Sequence, residues 1–248
     1  MITSVANEKV KFVKRLSEKK FRDEEGLFVA EGANILSDLK EGFSVRYLFA
    51  TEDNLVLAEK LSEKFGVPPE TVDSKVMKAM SDTVTPCGIL AVIEKPRCVP
   101  SGTNAIVLDG VSDSGNLGTI IRTAAGAGFS DVYLIGCADP FSPKTVRASM
   151  GAVLRVNIIV TDKENLQGYL DGYVRVAMDM SGDDVFGFKP RRKVALFFGN
   201  EAHGLSDFSF ENSDVILSIP MQNGQESLNV AVAAGIAMYV INHNFINK

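Results

Sequence analysis

The chain is poor in the residues that build disulfide frameworks and metal centres. Its 248 residues include only two histidines and three cysteines. The cysteines, Cys87, Cys98 and Cys137, have no C-x-x-C spacing, which excludes a thiolate metal motif and a disulfide scaffold and is typical of a reducing compartment. Since His203 and His243 are the only imidazoles, we expect a mechanism without a metal.

The sequence also lacks a long hydrophobic run. The longest apolar stretch, residues 230–241, is too short to cross a bilayer, and the N-terminus MITSVANEKVKF has no apolar segment of the kind found in secretion signals. We therefore predict a cytoplasmic protein without membrane contact. The composition, 46% hydrophobic and 23% charged, is that of an ordinary globular chain with one large domain or two modest ones.

Positive charge is scarce overall but concentrated at the N-terminus. The net charge is −5, yet residues 1–22 carry seven basic and two acidic side chains, a net charge of +5, which leaves −10 for the remainder. Such asymmetry is compatible with a surface that contacts phosphates. The alternative is a solvated amphipathic helix whose Val10, Val13 and Leu16 face the core.

A composition break at residues 96–104 separates two predicted domains. Two prolines, a glycine and polar residues interrupt the periodic pattern there. Before this linker, residues 1–95 alternate strand-like runs with helix-like runs, which predicts a small α/β domain. The strand-like runs are 27–31, 45–51 and 88–94, and the helix-like runs are 34–41, 54–65 and 74–80.

After the linker, residues 105–248 form the second predicted domain. Its strand-like runs are 105–109, 131–135, 156–160, 174–178, 194–198 and 214–219. Because these runs are nearly all apolar, with helices between them, they predict a mostly parallel sheet that is covered on both faces. Ser142 followed by Pro143 is typical of a helix start, here of residues 143–150. A last helix, about 227–244, is apolar on almost every side and must be buried between layers or subunits.

Three polar segments follow apolar strands of this second domain: residues 109–128, 197–206 and 219–235. In α/β sheets, the loops after the strands form ligand sites, so the three segments predict one composite pocket.

The first segment is rich in glycine and carries Asn116 and Arg122. Glycine-rich loops that open a helix often bind phosphates, but the spacing matches neither G-x-G-x-x-G nor the P-loop. In the alternative interpretation, Asn116 only caps a turn and Arg122 pairs with an acidic neighbour.

The other two segments add a carboxylate and two possible caps. Glu201 follows a strand directly and could orient a cation or accept a proton, or alternatively stabilise a helix dipole. Ser227 and Asn229 lie at the start of the last helix, where one of them is expected to cap it. A cap needs only one residue, so the surplus of polar groups favours a ligand.

These residues resemble the three motifs of a known family. NLGTIIRTA (116–124), FGNEAHGLS (198–206), and IPM (219–221) with ESLNVAVAA (226–234) are similar to those of the SpoU (TrmH-like) RNA 2′-O-ribose methyltransferases of the SPOUT class. The stretch 142–156 also resembles the family, so the similarity covers about residues 105–245. FVAEGANILSDL (28–39), after the basic segment, resembles the substrate-binding domain of many members, which is similar to a small RNA-binding ribosomal protein.

The resemblance implies a fold, a reaction and a set of partners. The fold is a SPOUT-type α/β domain with a C-terminal trefoil knot, a rare exception to unthreaded chains. The reaction is methylation of a ribose 2′-hydroxyl in RNA by S-adenosyl-L-methionine, by a homodimer without metal. Ribosomal RNA is the favoured substrate; the alternatives are a tRNA enzyme of the same family and a non-catalytic RNA-binding or assembly protein.

The resemblance also implies roles for individual residues. Arg122 corresponds to the catalytic arginine of the family, and Asn116, Glu201, Ser227 and Asn229 would position it and the ribose. The cofactor would be held by Gly199, Ile219, Met221, Leu228, Ser227 and Asn229. The residues expected to contact RNA are Lys9, Lys11, Lys14, Arg15, Lys19, Lys20, Arg22 and Arg147.

One position departs from the family pattern. Many relatives have proline where this chain has Ser114, just before the first motif. We expect the serine to change the stiffness of the loop more than the chemistry.

Overall fold

A computed structural model describes residues 1–39, 43–223 and 227–246, without the side chains of the last two residues. The chain divides into two compact units. The first unit comprises Met1–Arg97 together with Phe141–Leu154, and the second comprises Cys98–Pro140 together with Arg155–Lys248. The predicted boundary at the linker therefore does not separate the two units completely, because residues 141–154, which follow the linker, also belong to the first unit.

The first unit is built on a sheet of four strands. Its elements are α1 (Glu8–Arg15), α2 (Lys19–Glu25), β1 (Leu27–Glu31), α3 (Ala33–Ser37), β2 (Val45–Ala50), α4 (Leu55–Phe65), β3 (Pro69–Thr71), α5 (Ser74–Met80), β4 (Ile89–Glu94) and, from the returning segment, the helix Pro143–Ala148, which is α7 in chain order. The strand order is β1-β4-β2-β3, with β4 antiparallel to β1 and β2, and with β3 parallel to β2. The end of the helix predicted at 34–41 lies outside the described residues.

The predicted basic segment folds as two helices rather than one. Asn7 caps α1 by accepting a hydrogen bond from the Lys9 N–H at 2.9 Å. On the inner face, Val10, Val13 and Leu16 are buried in the core, as the amphipathic interpretation predicts. The chain turns after Leu16 and resumes in α2, so the basic side chains are divided between two helices.

The second unit is built on a sheet of six strands. Its elements are β5 (Ala105–Asp109), α6 (Ser114–Ala127), β6 (Asp131–Ile135), β7 (Asn157–Val160), α8 (Lys163–Tyr169), β8 (Val174–Asp184), β9 (Val194–Gly199), α9 (Asp207–Glu211), β10 (Val215–Ser218) and α10 (Val230–Ile246). The strand order is β10-β8-β9-β5-β6-β7, and neighbouring strands pair in parallel. The predicted parallel sheet is confirmed.

Strand β8 is longer than the predicted run 174–178. It pairs with β10 through Val176 and Ala177, and the pairing then shifts to Asp183 and Asp184. The residues between these pairs form an irregular stretch, because their polar and glycine-containing sequence does not continue the regular ladder. This irregularity directs residues after Ala177 towards the end of the sheet.

The final helix α10 is only partly buried by its own protomer. Ala234, Met238 and Ile241 are buried, whereas Val232 and Tyr239 are about half exposed. Part of the apolar surface of α10 is therefore left exposed in this chain. In the described ranges, no helix is long and apolar enough to span a membrane.

Candidate active site

A cavity of about 600 Å³ lies at the carboxyl edge of the six-stranded sheet. Four stretches line it: residues 178–180 from β8, 198–205 around the end of β9, 217–221 after β10, and 227–233 at the start of α10. The volume falls within the roughly 300–1,000 Å³ of sites for cofactors and drug-sized ligands. Its position, beyond the ends of parallel strands, is where α/β folds bind their ligands.

The structure brings most of the predicted site residues to this cavity. All six residues predicted to hold the cofactor line it: Gly199, Ile219, Met221, Ser227, Leu228 and Asn229. Glu201 lines it as well. Asn116 and Arg122 are not among the lining residues; both belong to α6.

A chain of hydrogen bonds connects the three polar segments. The Asn116 Nδ2 donates to Glu201 Oε1 at 2.9 Å, and the Asn229 Nδ2 donates to Asn116 Oδ1 at 2.9 Å. The three residues follow β5, β9 and β10 along the chain, so the predicted convergence of the loops is present in side-chain contacts.

Each end of this chain is fixed by backbone groups. At one end, Asn229 Oδ1 accepts hydrogen bonds from the N–H groups of Ala231 and Val232 and so caps α10. At the other end, the Glu201 carboxylate accepts hydrogen bonds from the N–H groups of Ser112 and Asp113 at 3.3 and 3.4 Å. Backbone N–H groups can only donate, so the oxygen of the Asn229 amide faces them and its nitrogen faces Asn116. The Glu201 carboxylate can only accept, so the nitrogen of the Asn116 amide faces it.

The same contacts change the acidity of Glu201. Desolvation raises the pKa of its carboxyl, but the hydrogen bonds from Asn116 and from backbone N–H groups together outweigh it, and the net pKa is below the ordinary value. The carboxylate therefore stays charged well into the acid range. A group of lowered pKa is a poor proton acceptor, so this contact favours positioning over general base chemistry.

The alternatives left open by the sequence are decided by these contacts. The cap of α6 is Asp113, whose carboxylate accepts the Asn116 N–H at 2.8 Å, so Asn116 is not a cap. Of the two possible caps of α10, Asn229 takes the role.

The loop after β9 is pinned by its own backbone. Asn200 and Gly204 exchange two backbone hydrogen bonds of 2.9 Å, and the Asn200 Nδ2 donates to the Gly110 carbonyl at 2.7 Å. Glycine is needed at position 199, because a Cβ there would overlap the backbone of Gly204 and Leu205. The tight turn holds Glu201 opposite the start of α6.

Arg122 stands apart from the hydrogen-bond chain. Its side chain is exposed on α6, and within the described part of the chain no hydrogen bond or ion pair engages it. The acidic neighbour considered from the sequence is thus not found among these residues.

Five lining residues lie outside the three predicted polar segments: Met178, Asp179, Met180, Leu217 and Ser218. Met178 ends the predicted run 174–178, Asp179 and Met180 follow it in β8, and the other two end β10. Asp179 and Glu201 are the charged residues of the lining, and both are acidic. An acidic lining suits a ligand that carries positive charge. Among the described residues, no group of three or more His, Cys, Asp or Glu is placed to hold a metal.

The residues predicted to contact RNA differ in their accessibility. Lys9, Lys11 and Lys20 are exposed and pair with Glu70, Glu8 and Glu24. Arg15 lies 3.8 Å from the centre of the Phe21 ring, Lys14 and Lys19 are exposed, and Arg147 pairs with Asp82 at 3.0 Å.

The prediction for Arg22 is wrong. Its side chain is 2% exposed, and the guanidinium donates to the carbonyls of Leu16 and Ser17 at 2.7 and 2.6 Å. Arg22 satisfies carbonyls of the turn between α1 and α2 and so holds that turn closed.

The fold and the cavity define an α/β enzyme with its ligand site at the edge of a parallel sheet and a separate N-terminal unit. The SpoU rRNA Methylase family matches residues 103–239, and the MRM3-like substrate binding domain matches residues 7–91. The 23S rRNA (guanosine(2553)-2'-O)-methyltransferase RlmP of Bacillus subtilis (strain 168) is 31% identical over 247 residues, covering 96% of this chain and 97% of that protein.

Two solved structures are similar over nearly the whole chain. The AdoMet-bound rRNA methyltransferase from Sinorhizobium meliloti has a TM-score of 0.86 at 32% identity, covering 96% of this chain and 95% of that chain. The SpoU methyltransferase AviRb from Streptomyces viridochromogenes, in complex with AdoMet, has a TM-score of 0.88 at 25% identity, covering 98% and 100%.

The chain belongs to the SpoU rRNA methylase family. Membership confirms the predicted class of activity, methyl transfer from S-adenosyl-L-methionine to a ribose 2′-hydroxyl of RNA.

Proposed function

We propose that the protein methylates the 2′-hydroxyl of one nucleotide of ribosomal RNA and that its cofactor binds in the cavity at the carboxyl edge. The observation that carries this proposal is the hydrogen-bond chain from Glu201 through Asn116 to Asn229, which joins three separate polar segments beside one cavity. The similarity to proteins named as rRNA methyltransferases supports ribosomal RNA as the substrate.

The lining of the cavity fits S-adenosyl-L-methionine. The volume accommodates a nucleoside with an amino-acid tail, and the lining combines backbone groups with two carboxylates and apolar side chains such as Ile219 and Leu228. We assign Gly199, Ile219, Met221, Ser227, Leu228 and Asn229 to hold it. When bound, the cofactor supplies a methyl group activated by a sulfonium.

The residues around the cavity orient the RNA and fix the loops of the site. Methyl transfer needs the ribose oxygen held in line with the methyl group, which places the demand on orientation rather than on a metal. Arg122 is exposed and can grip a phosphate beside the reacting ribose, since a guanidinium is an excellent anion ligand and a very poor base. Asn116, Glu201 and Asn229 fix the geometry of the loops, and Ser227 faces the cavity beside Asn229.

We propose that RNA is also held by the first unit. Its exposed basic residues supply a charged surface of the kind that contacts phosphates, and the substrate binding domain family matches this region. The residues assigned to this surface are Lys9, Lys11, Lys14, Arg15, Lys19, Lys20 and Arg147.

The half-exposed apolar face of α10 supports a homodimer. Val232 and Tyr239 present a hydrophobic surface that a second copy of the chain would cover. Light scattering should give the mass of a dimer, and the Tyr239→Glu variant should give that of a monomer. A monomeric wild-type protein at micromolar concentration would contradict this assignment.

Two further features follow from the family. We expect the C-terminal part of the second unit to form a trefoil knot, and we expect a cytoplasmic location, where ribosomal RNA is accessible to a bacterial-type methyltransferase.

A transfer assay tests the proposed function. Ribosomal RNA from cells that lack the gene is incubated with the protein and tritiated S-adenosyl-L-methionine, with transfer RNA as the parallel substrate. Incorporation into ribosomal RNA at a ribose-methylated position that is missing in those cells supports the proposal. Incorporation only into transfer RNA favours the other substrate class, and RNA binding without incorporation favours an assembly protein.

A further inference from the structure

A second cavity, of about 220 Å³, lies within the first unit. It is formed where the end of α1, strand β1, the end of α5 and the returning helix α7 meet. Residues 133 positions apart in sequence, Lys14 and Arg147, both line it. Both were predicted to contact RNA, and only the fold brings them together at one cavity.

The lining combines an apolar floor with charged groups. Val13, Val29, Met80 and Val146 supply hydrocarbon surface. The charged residues of the lining are Lys14, Glu31, Asp82 and Arg147. Apolar walls with a few charged groups suit a ligand that combines an apolar ring with a polar edge.

The Glu31 carboxylate is held in place at the cavity wall. It is 7% exposed, and its Oε2 accepts a hydrogen bond from Ser81 Oγ at 2.6 Å, while its Oε1 accepts from the Cys87 N–H at 3.0 Å and from Thr83 Oγ1 at 3.4 Å. A carboxylate has about four acceptor positions, so these donors leave capacity for another N–H.

The size of the cavity limits its occupant. A volume of about 220 Å³ is smaller than the range of about 300–1,000 Å³ typical of sites for drug-sized ligands, so the cavity takes about one ring system. In single-stranded RNA, bases swing out and are bound by their faces and edges, and a carboxylate recognises the amino or imino N–H of a base.

We infer that this cavity binds one unpaired nucleobase of the RNA substrate. Glu31 accepts a hydrogen bond from the N–H edge of the base, and the base lies against Val29 and Val146. Lys14 and Arg147 neutralise the phosphates on either side. The inference rests on the proposed function, since it assigns to the first unit a specific contact with the RNA that the second unit methylates.

The test uses the full chain with its cofactor cavity saturated by S-adenosylhomocysteine, so that nucleosides cannot enter there. Saturation-transfer NMR is recorded with the four nucleoside 5′-monophosphates, and with ribose 5-phosphate as the ligand without a base. We expect saturation of base protons, stronger for the guanosine, cytidine and adenosine monophosphates, whose bases carry an exocyclic amino group, than for uridine monophosphate, which has only an imino N–H, and none for ribose 5-phosphate.

Two matched pairs of variants locate the contact. Ala79→Phe fills the cavity from α5 and should abolish the base signal, whereas Val84→Phe adds the same ring at a position that is 91% exposed and should not. Lys14→Ala should weaken the signal, whereas Lys11→Ala, on the same helix but outside the lining, should leave it. Glu31→Gln should reduce the preference for bases that carry an exocyclic amino group. Circular dichroism and cooperative thermal unfolding of each variant show that the first unit is folded.

The outcome for RNA separates this inference from the proposed function. Binding of a fluorescent 12-nucleotide RNA of mixed sequence should weaken about 10-fold in Ala79→Phe, the effect of losing one bound base. Methyl transfer to ribosomal RNA without any base signal, or a base signal that Ala79→Phe leaves intact, would overturn the cavity inference alone. Absence of both transfer and RNA binding would overturn the proposed function.

Discussion

The two cavities of the molecule are built in different ways. At the larger cavity, contiguous stretches of the chain supply the lining, and polar groups of two of them, Glu201 and Asn229, are joined through Asn116 of α6. In the first unit, small groups of residues from four distant elements surround the smaller cavity, and its charged residues lie far apart in the sequence. A site of the first kind leaves a motif in the sequence, whereas one of the second kind does not.

The largest expected effect is a loss of methyl transfer, and it tests the role of Arg122 in the second unit. Arg122→Ala should lower methyl transfer about 100- to 1,000-fold, the cost of removing a charged group that holds the transition state. Cofactor binding by calorimetry should be unchanged, because Arg122 does not line the cavity. Arg122→Lys should recover part of the activity. Equal loss of transfer and of cofactor binding would refute the assigned role.

The next test is whether the cofactor cavity depends on its tight turn. Gly199→Ala should destabilise the protein by about 3 kcal/mol and weaken cofactor binding, because the added Cβ meets the backbone of Gly204. The same change at Gly168, the last residue but one of α8 with open space around it, should be stabilising by about 0.5–1 kcal/mol. Thermal unfolding with and without the cofactor measures both. If Gly199→Ala left stability and cofactor binding unchanged, the expected difference between Gly199 and Gly168 would be contradicted.

In the first unit, two basic residues should separate stability from RNA binding. Arg22→Met should cost about 2 kcal/mol, since the carbonyls of Leu16 and Ser17 lose a charged donor, and should leave RNA affinity unchanged. Lys14→Ala should leave stability within about 0.5 kcal/mol and lower the salt dependence of RNA binding by about one unit of slope. Chemical denaturation and anisotropy titrations at several salt concentrations give the two quantities. A loss of RNA affinity in folded Arg22→Met would reverse this assignment.

A pH series tests the hydrogen-bond chain at the cofactor cavity. In Glu201→Gln, an amide nitrogen replaces one carboxylate oxygen and faces either the Ser112 N–H, in place of Oε2, or the Asp113 N–H and Asn116 Nδ2, in place of Oε1, so Tm at neutral pH should fall by about 2–4 °C. The folded-state pKa of Glu201 is lowered, so its contribution to stability is present above the unfolded pKa and is lost as the pH falls through the folded value. The difference between wild type and variant should therefore shrink in acid. Glu211→Gln, at an exposed residue of α9, is the control.

The smallest effect concerns the position where the chain departs from its family. Ser114 is the first residue of α6, a position that suits proline because its N–H has no partner within the helix. Ser114→Pro should raise stability by about 0.4–1 kcal/mol and leave methyl transfer unchanged. A large loss of activity would mean that the flexibility of this loop is used in the reaction.

The sequence could predict the sheet and several residues that line the larger cavity because both follow local patterns. The apolar runs at 105–109 and 194–198 coincide with β5 and, within one residue, β9. Gly199, Ile219 and Leu228 lie at the predicted cavity because each belongs to a motif with several polar neighbours. Here the local sequence and the fold agree.

Other features needed the three-dimensional structure. Asp179 was missed because its polar neighbours resemble a turn, whereas the irregular pairing of β8 carries it to the cavity. Arg22 was assigned to the RNA surface because charge alone does not distinguish a buried guanidinium from an exposed one. The choice between Ser227 and Asn229 as the cap of α10 depends on which side chain reaches the N–H groups.

The return of residues 141–154 to the first unit limits how this protein can be taken apart. Phe28, which is fully buried, has its ring 5.0 Å from that of Phe141. A fragment that ends at Arg97 would expose the flank of β1 and lack the wall of the smaller cavity that α7 contributes. The N-terminal unit therefore cannot be exchanged between proteins by a single crossover at the linker. Recombination would also have to exchange the internal stretch of the gene that encodes residues 141–154.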